Sequence, residues 1–217
     1  MLAGYSVVGN YVNIPKSDYT RLKKNFRNYK SLKLHVGCGP RILKDWVNID
    51  LSYASPEKHG KIYPKDALGK KNDLYILDVT RGLPLPDNCV DVIFHEDFIE
   101  HLDQKEQFLF LAEMRRILKK GHTHRISTPN ILASMKKYSK FNLGAGGVYT
   151  PEWEYHIHKN ILSPILLKEM AEMVGYKKAT LTLKNQSRAK NLLPAEYRPS
   201  GERRELKDGN VFIDLVK

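Results

Sequence analysis

A doubly wound α/β domain built on a mostly parallel sheet of seven strands is the fold class this sequence predicts, and three observations predict it. From residue 32 onward, short apolar runs of strand length alternate with segments of helical periodicity, which is how strands and helices take turns in a parallel sheet. The helical segments carry their own start and stop signals. Finally, 217 residues, 41% hydrophobic and 28% charged, are the size and make-up of one domain with one core.

Taken in order, residues 16–30 predict a short basic helix, and residues 1–30 a basic N-terminal helical appendage to a domain at 31–217. Strands are predicted at Leu32–Val36, Trp46–Asp50, Leu74–Leu77, Val90–His95, about His122–Ser127, Ala179–Leu183 and Val211–Val216. The fifth, HTHRIS, is polar for a central strand. Asp103 with Glu106 three residues on is a capping-box pattern, the apolar face Phe108, Leu111, Ala112 and Leu118 follows, and Gly121 stands where a C′ glycine closes a helix. Ser163 and Pro164 supply an N-cap and an N1 proline, and Gly175 closes the segment ILLKEMAEMV. Two irregular stretches remain, Tyr53–Asp73 and Ser134–Tyr155, and both are long for connections. The second sets Gly144-Ala145-Gly146-Gly147 among Phe141, Tyr149 and Trp153. It has two readings, a lid-like insertion at about 134–155 or a surface excursion.

No run approaches the ~18 apolar residues of a membrane span, and the opening MLAGYSVVGNYVNIPKSDYTRLKK turns polar too early for a secretory apolar region. Cys38 and Cys89 have no C-x-x-C spacing and cannot build a disulfide scaffold. A soluble cytoplasmic protein in a reducing compartment is the expectation. Thirty-six Lys and Arg against twenty-four Asp and Glu leave a net charge of +12, gathered at Lys16 to Lys30, Lys58 to Lys71 and Lys184 to Arg204. Such a charge suits nucleic acid, anionic lipid or a phosphorylated ligand, and equally a solvated basic surface with no dedicated partner.

The segment LKLHVGCGPRILKDWVNID joins an apolar strand, a turn at Gly37 and Gly39, a second apolar strand and a terminal acid, Asp50. Glycines let a backbone turn sharply and approach a ligand, and a carboxylate ending the neighbouring strand can accept from the two hydroxyls of a ribose. The dinucleotide fingerprint needs a small residue where Ile42 stands and an acid about 20 residues on, and Asp50 comes too soon. By itself the G-x-G is also explained as a tight strand-end turn.

In order and content these residues resemble the class I S-adenosylmethionine-dependent methyltransferases over roughly 32–183. HVGCG is similar to that family's first motif, and Asp50 stands in the place of its ribose-binding acid. LDVTRGLPLPDNCVDVIFHEDFIEHL resembles the third-strand Asp, the Leu-Pro turn and the fourth strand, LAEMRRILKKGHTHRISTPN the helix and fifth strand that follow, and YHIHKNILSPILLKEMAEMVGYKKATL the late helix before the sixth strand. The resemblance implies S-adenosyl-L-methionine as cofactor, its methionine moiety against Val36, Gly37, Cys38 and Gly39 and its ribose on Asp50 beside Leu51. It puts the adenine amino group on Asp78 with Val79 beside the ring, and His95 and Glu96 next to the sulfonium and the acceptor. Each position has a plainer reading. Asp78 can start the turn before Arg81-Gly82, Glu96 can be a solvated loop acid, and Glu100-His101 can hold a strand-to-helix corner. Two departures stand out: ten residues separate Gly39 from Asp50, so the usual helix between the first two strands must be absent or one turn long, and Gly121-His122 replaces a pair of glycines.

Methyl transfer asks the protein for position, orientation and, with a hydroxyl acceptor, a base. The candidate bases are His95, His101, His156 and His158. His156-x-His158 between Glu152, Glu154 and the rest of the chain can be drawn as a metal site, but alternating polar residues on an edge strand explain it, and no metal is expected. The stretch after the fourth strand reads HEDF, without the N-P-P-[YF] pattern that serves base amines, and neither cysteine follows a proline. The resemblance therefore suggests a small-molecule or carbohydrate-like acceptor methylated at oxygen, sometimes in surface-polysaccharide pathways, and the basic charge would then meet a phosphorylated or nucleotide-linked sugar. The alternatives are an RNA or other nucleic-acid methyltransferase, a cofactor-binding module without catalysis and, more distant, a nicotinamide oxidoreductase.

Overall fold

The computed structural model of the chain describes residues 5–7, 10–12, 16–52, 73–138, 146–194, 196 and 209–217. A hairpin of β1 (Tyr5–Val7) and β2 (Asn10–Val12) precedes α1 (Lys16–Asn25). Then come β3 (Lys33–Val36), β4 (Val47–Asp50), β5 (Leu74–Ile76), β6 (Val90–Glu96), α2 (Gln104–Ile117), β7 (Leu118–Pro129), α3 (Ile131–Lys137), α4 (Pro164–Val174), β8 (Lys178–Thr182) and β9 (Asn210–Val216). The large sheet has seven strands in the order β5-β4-β3-β6-β7-β9-β8. Its first five run parallel, and β9 is antiparallel to both β7 and β8. All seven predicted strands are present. The order in which successive strands are laid down reverses between β3 and β6, the switch point outside whose carboxyl ends open α/β sheets bind ligands.

Alternation along β6 divides the sheet's two faces. Ile93 joins the main core, in which α2 contributes Phe110, Leu111, Met114 and Ile117 and α4 contributes Leu167, Met170 and Ala171. Val92 and Phe94 point to the other face and pack with Leu43 and Trp46 from the β3–β4 connection, and with Ala189 and Leu193 from the stretch after β8. The helix that usually follows the first strand is absent here, as the short Gly39-to-Asp50 spacing requires, and irregular chain covers its place. Asn48, fully buried, ties that connection down by accepting from the Leu43 N–H and donating to the Leu43 and Trp46 carbonyls.

The basic N-terminal helix is built into the domain. Leu22 of α1 is fully buried in the main core, and α1 covers β5, the outer strand. The Asp18 carboxylate accepts from the Ile76 N–H at 2.8 Å, while Arg21 donates to the Leu74 carbonyl and lies over the Tyr75 ring. A sheet edge left open is a pairing hazard, and this helix satisfies it.

Four local expectations change. The capping box of Asp103 and Glu106 forms as predicted, but the helix ends at Ile117, and Gly121 lies inside β7 instead of at a C′ position. The buried face of α2 is Phe110, Leu111, Met114 and Ile117, whereas Ala112 is exposed. The stretch 134–155 is not irregular throughout, because its start belongs to α3 and Thr150–Tyr155 form a turn of π-helix. Finally, His156 and His158 lie on no strand. Residues 53–72 and 139–145, with Phe141, Gly144 and Ala145, lie outside the described residues. By contrast α4 has its Ser163 cap, Pro164 and a left-handed Gly175 where predicted.

Candidate active site

At the end of β3 the chain turns through Gly37 and Gly39, both with positive φ. A Cβ on Gly37 would stand 2.3 Å from the ring of Phe98, so glycine is demanded by close approach as well as by backbone conformation. Phe98 comes from the loop after β6, so this contact locks the two loops of the switch point together. Above Gly39 there is open space. The Cys38 thiol is buried, and burial, with the Asp50 charge adding to it, pushes its pKa well up, so it remains a thiol.

Asp50 ends β4, the strand beside β3. One carboxylate oxygen accepts from the Gly39 N–H at 2.7 Å and the other from the Leu51 N–H at 2.7 Å and the Ser52 N–H at 3.4 Å. Burial raises its pKa, and the three backbone donors oppose that rise. A carboxylate has about four lone-pair sites, so capacity remains for a ribose hydroxyl. The open turn and the half-buried acid behind it fit the nucleoside end of S-adenosylmethionine.

Asp78 starts a turn, as its plainer reading expects. It caps the turn Val79–Arg81, accepting at Oδ1 from the Thr80 N–H and hydroxyl and at Oδ2 from Arg81 at 3.3 Å. Three donors leave this carboxylate, like that of Asp50, capacity for one more, such as an adenine amino group. The Val79 side chain is committed to the main core, as is Val36. Glu96 is not a solvated loop acid. It pairs with Arg41 at 3.2 Å, and both side chains are nearly buried, which ties the end of β6 to the loop after the glycine turn.

His95 is corrected. Alternation turns it toward α2, where its ring sits 5.2 Å from those of Phe110 and His124 and 5.7 Å from that of Phe98. It is fully buried, and burial with His124 and His35 nearby holds its pKa well below the ordinary imidazole value. An imidazole sealed behind the strand end can neither line the cofactor cleft nor pass a proton to an acceptor in front of it.

The other candidate histidines converge. The turn after β6 carries Glu100 and His101, and the chain between the π-helical turn and α4 returns beside it, the Lys159 and Asn160 N–H groups donating to the Glu100 carbonyl at 2.8 and 3.1 Å. The His101 and His158 rings meet edge to face with centroids 5.0 Å apart, and the His156 ring stacks on that of His158 at 5.4 Å. His158 Nδ1 lies 3.0 Å from Glu152 Oε2, and the Ser134 hydroxyl donates to Glu152 Oε1. The Glu100 carboxylate is fully buried and accepts from the Thr128 hydroxyl at 2.9 Å. Burial raises the Glu152 pKa, but the hydrogen bonds from His158 and Ser134 outweigh it and hold the carboxyl below its ordinary value. His101 lies at the surface with part of its ring covered, and that loss of solvent, then the proximity of His158, lowers its pKa. The sequence pointed to the histidines and to Glu100. Ser134 and Thr128 carried no local signal, since only the fold brings α3 and the end of β7 to this place.

A family profile described as a methyltransferase domain matches residues 34–124, the stretch from β3 into β7. No curated protein matches the chain. Among solved structures, a SAM-dependent methyltransferase from Archaeoglobus fulgidus is similar over 92% of this chain and 92% of its own, with 17% identity and a TM-score of 0.52. A protein from Thermotoga maritima described as a SAM-dependent methyltransferase, possible histamine N-methyltransferase, covers 92% of this chain and 89% of its own, with 16% identity and a TM-score of 0.53. One from Mesorhizobium loti covers 85% and 89% with 13% identity and a TM-score of 0.50. With the strand order of the sheet, these likenesses show the fold of the S-adenosylmethionine-dependent methyltransferases, and residues 34–124 match a methyltransferase domain.

Proposed function

We propose that this protein is a class I S-adenosylmethionine-dependent methyltransferase that acts in the cytoplasm on a small-molecule or carbohydrate-like acceptor and methylates it at oxygen. The observation that carries the reading is the closing of Glu100, His101, Glu152 and His158 into one polar cluster beside the carboxyl ends of β6 and β7. Open sheets of this kind place their ligands at those ends. A hydroxyl acceptor must lose its proton to react, and this cluster holds acceptor groups for it. The same segment carries Tyr149 and Trp153 with ring centroids 5.0 Å apart, aromatic surface of the sort that walls a ring-shaped ligand.

S-adenosylmethionine supplies a methyl group on a sulfonium, so the new bond to oxygen forms as the carbon–sulfur bond breaks and a neutral thioether leaves. The protein's part is placement. Gly37 and Gly39 let the backbone come close, Asp50 accepts from the ribose, and Phe98 against Gly37 fixes the loop that leads to the acceptor cluster. The lid role of residues 134–155 belongs to this proposal, with Tyr149 and Trp153 on its described part.

Replacing Asp50 with Ala should weaken S-adenosylhomocysteine binding by roughly ten- to a hundred-fold, because a lost buried charged acceptor typically costs ~1.5–3 kcal/mol. Calorimetry on the two proteins checks it. Wild-type protein that binds NAD and not S-adenosylhomocysteine would defeat the reading.

The net charge of +12 favours a second reading, an RNA acceptor, and salt separates the two. Strand binding should lose affinity with a log–log slope of about −0.7 per phosphate neutralised, while a small acceptor should show a shallow slope. Steeply salt-dependent RNA binding with methyl incorporation into that RNA would replace the carbohydrate-like acceptor.

A further inference from the structure

We propose that Glu100, His101 and His158 form a site for one divalent transition-metal ion of the zinc class, on the acceptor side of the cleft. This departs from the sequence-based expectation of no metal, and from the His156-x-His158 pairing with its neighbouring glutamates that the sequence offers. Each of the three residues presents a ligand atom, and these atoms lie within 4.8 Å of one another. Two imidazoles and one carboxylate are a donor set that zinc uses where a position stays open for water or substrate.

The surrounding bonds are those of a metal site. His158 Nδ1 is held at 3.0 Å by Glu152, an ionised carboxylate that Ser134 holds in turn. That bond orients the ring, and its other nitrogen, Nε2, faces Glu100 Oε1 at 4.0 Å. The separation is too long for a direct hydrogen bond and leaves room for an ion between the two atoms. A cation placed there would bond to both. With metal–ligand bonds of about 2.0–2.2 Å, ligands in a tetrahedral set stand roughly 3.3–3.6 Å apart, so this pair needs to close by about half an ångström.

The other two ligands are oriented as well. Glu100 Oε2 accepts from the Thr128 hydroxyl, and the His101 ring hydrogen-bonds to the backbone of Ile157. Histidine ligands generally give their second nitrogen to a carboxylate or a backbone carbonyl, and those partners fix tautomer and ring direction. Ile157 itself has φ of +55°, a conformation that a β-branched residue adopts only when its surroundings impose it. Here it allows a single residue to bring both its backbone and His158 toward His101.

The site sharpens the reading of the acceptor side without depending on it, since metal binding can be measured alone. Tag-free full-length protein is freed of metal with a chelator and titrated with Zn2+, and with Co2+ as a spectroscopic probe. One ion per chain and a ligand-field spectrum of low coordination number are expected. His101 is exposed, so His101→Gln should fold normally while binding Zn2+ more than about a hundredfold more weakly. Glu152→Gln should cost about 10–100-fold, the usual effect of losing an outer-shell partner. Zn2+ should also raise the melting temperature of the wild type and leave that of His101→Gln unmoved.

Absence of stoichiometric binding, or equal binding by His101→Gln, overturns the proposal. Titrating S-adenosylhomocysteine into the same samples separates the two readings. Cofactor binding without metal binding sinks the metal site alone, and metal binding without cofactor binding sinks the methyl-transfer assignment alone.

Discussion

Arg125→Met should lose about 3–5 kcal/mol of folding stability, the usual result of removing one partner from a buried ion cluster. Arg125 lies in β7 and is fully buried. Its Nε and Nη2 donate to the two oxygens of Glu196, Nη1 donates to the Thr182 hydroxyl and at 3.3 Å to Asp214, and Nη2 donates to the Leu183 carbonyl at 2.9 Å. Asp214 also accepts from the Ser187 hydroxyl and the Arg188 N–H, both at 2.8 Å. Methionine matches the stem of arginine but leaves two buried carboxylates facing each other. The cluster also fastens the chain that covers the helix-free face of the sheet, where Ala189 and Leu193 pack on Phe94 and Trp46. Urea unfolding of the variant measures the loss. A change under about 1 kcal/mol would mean that water already reaches Glu196 and Asp214 in the native protein.

This cluster marks where the sequence stopped being legible. HTHRIS is polar for a central strand, and the strand forms because each polar group has a partner that only the fold supplies: Glu196 is 71 residues from Arg125, and Tyr176 is 52 from His124. The strands were legible because apolar runs declare themselves locally, and α4 was legible because its cap, proline and closing glycine are contiguous. Gly121 misled for the same reason. A glycine beyond a helical run signals a C-cap whether the chain turns there or has already entered a strand.

The site divides in the same way. The glycine turn and Asp50 belong to adjacent strands joined by ten residues, so spacing alone located them. Glu100, His158, Glu152 and Ser134 come from three separate stretches, and their meeting depends on topology. For His95 half of the answer was legible in the sequence, since Phe94 and His95 are neighbours on a strand and must face opposite sides. Phe94 packs with Trp46, which sends His95 to the α2 face.

The protein should be sharply sensitive to acid, losing about 5 kcal/mol of stability between pH 6.5 and pH 4.5 from two core histidines. His35 is fully buried, and burial, reinforced by the nearby Arg41 charge, lowers its pKa to about 3 against the hydrogen bond with Asn48. His124, enclosed by Phe110, His95 and Tyr176, is lowered by burial to about 3. In the unfolded chain both return to about 6.5. Between those values the unfolded state binds more protons than the native state, so stability is complete above pH ~6.5 and falls as pH drops toward 3. Each histidine contributes a slope of about 1.4 kcal/mol per pH unit. His95, with its pKa shifted the same way, steepens the fall. Domains of this size are stable by about 5–15 kcal/mol, so unfolding near pH 4–5 is expected. Urea titrations at pH 7, 6 and 5 read the slope directly, and His124→Phe should flatten it by about 1.4 kcal/mol per pH unit while Tyr176 keeps its bond to the Leu111 carbonyl. Equal stability at pH 7 and pH 5 would show that these rings take up protons in the folded state, and the closed core around β3, β6 and β7 would then have to admit water.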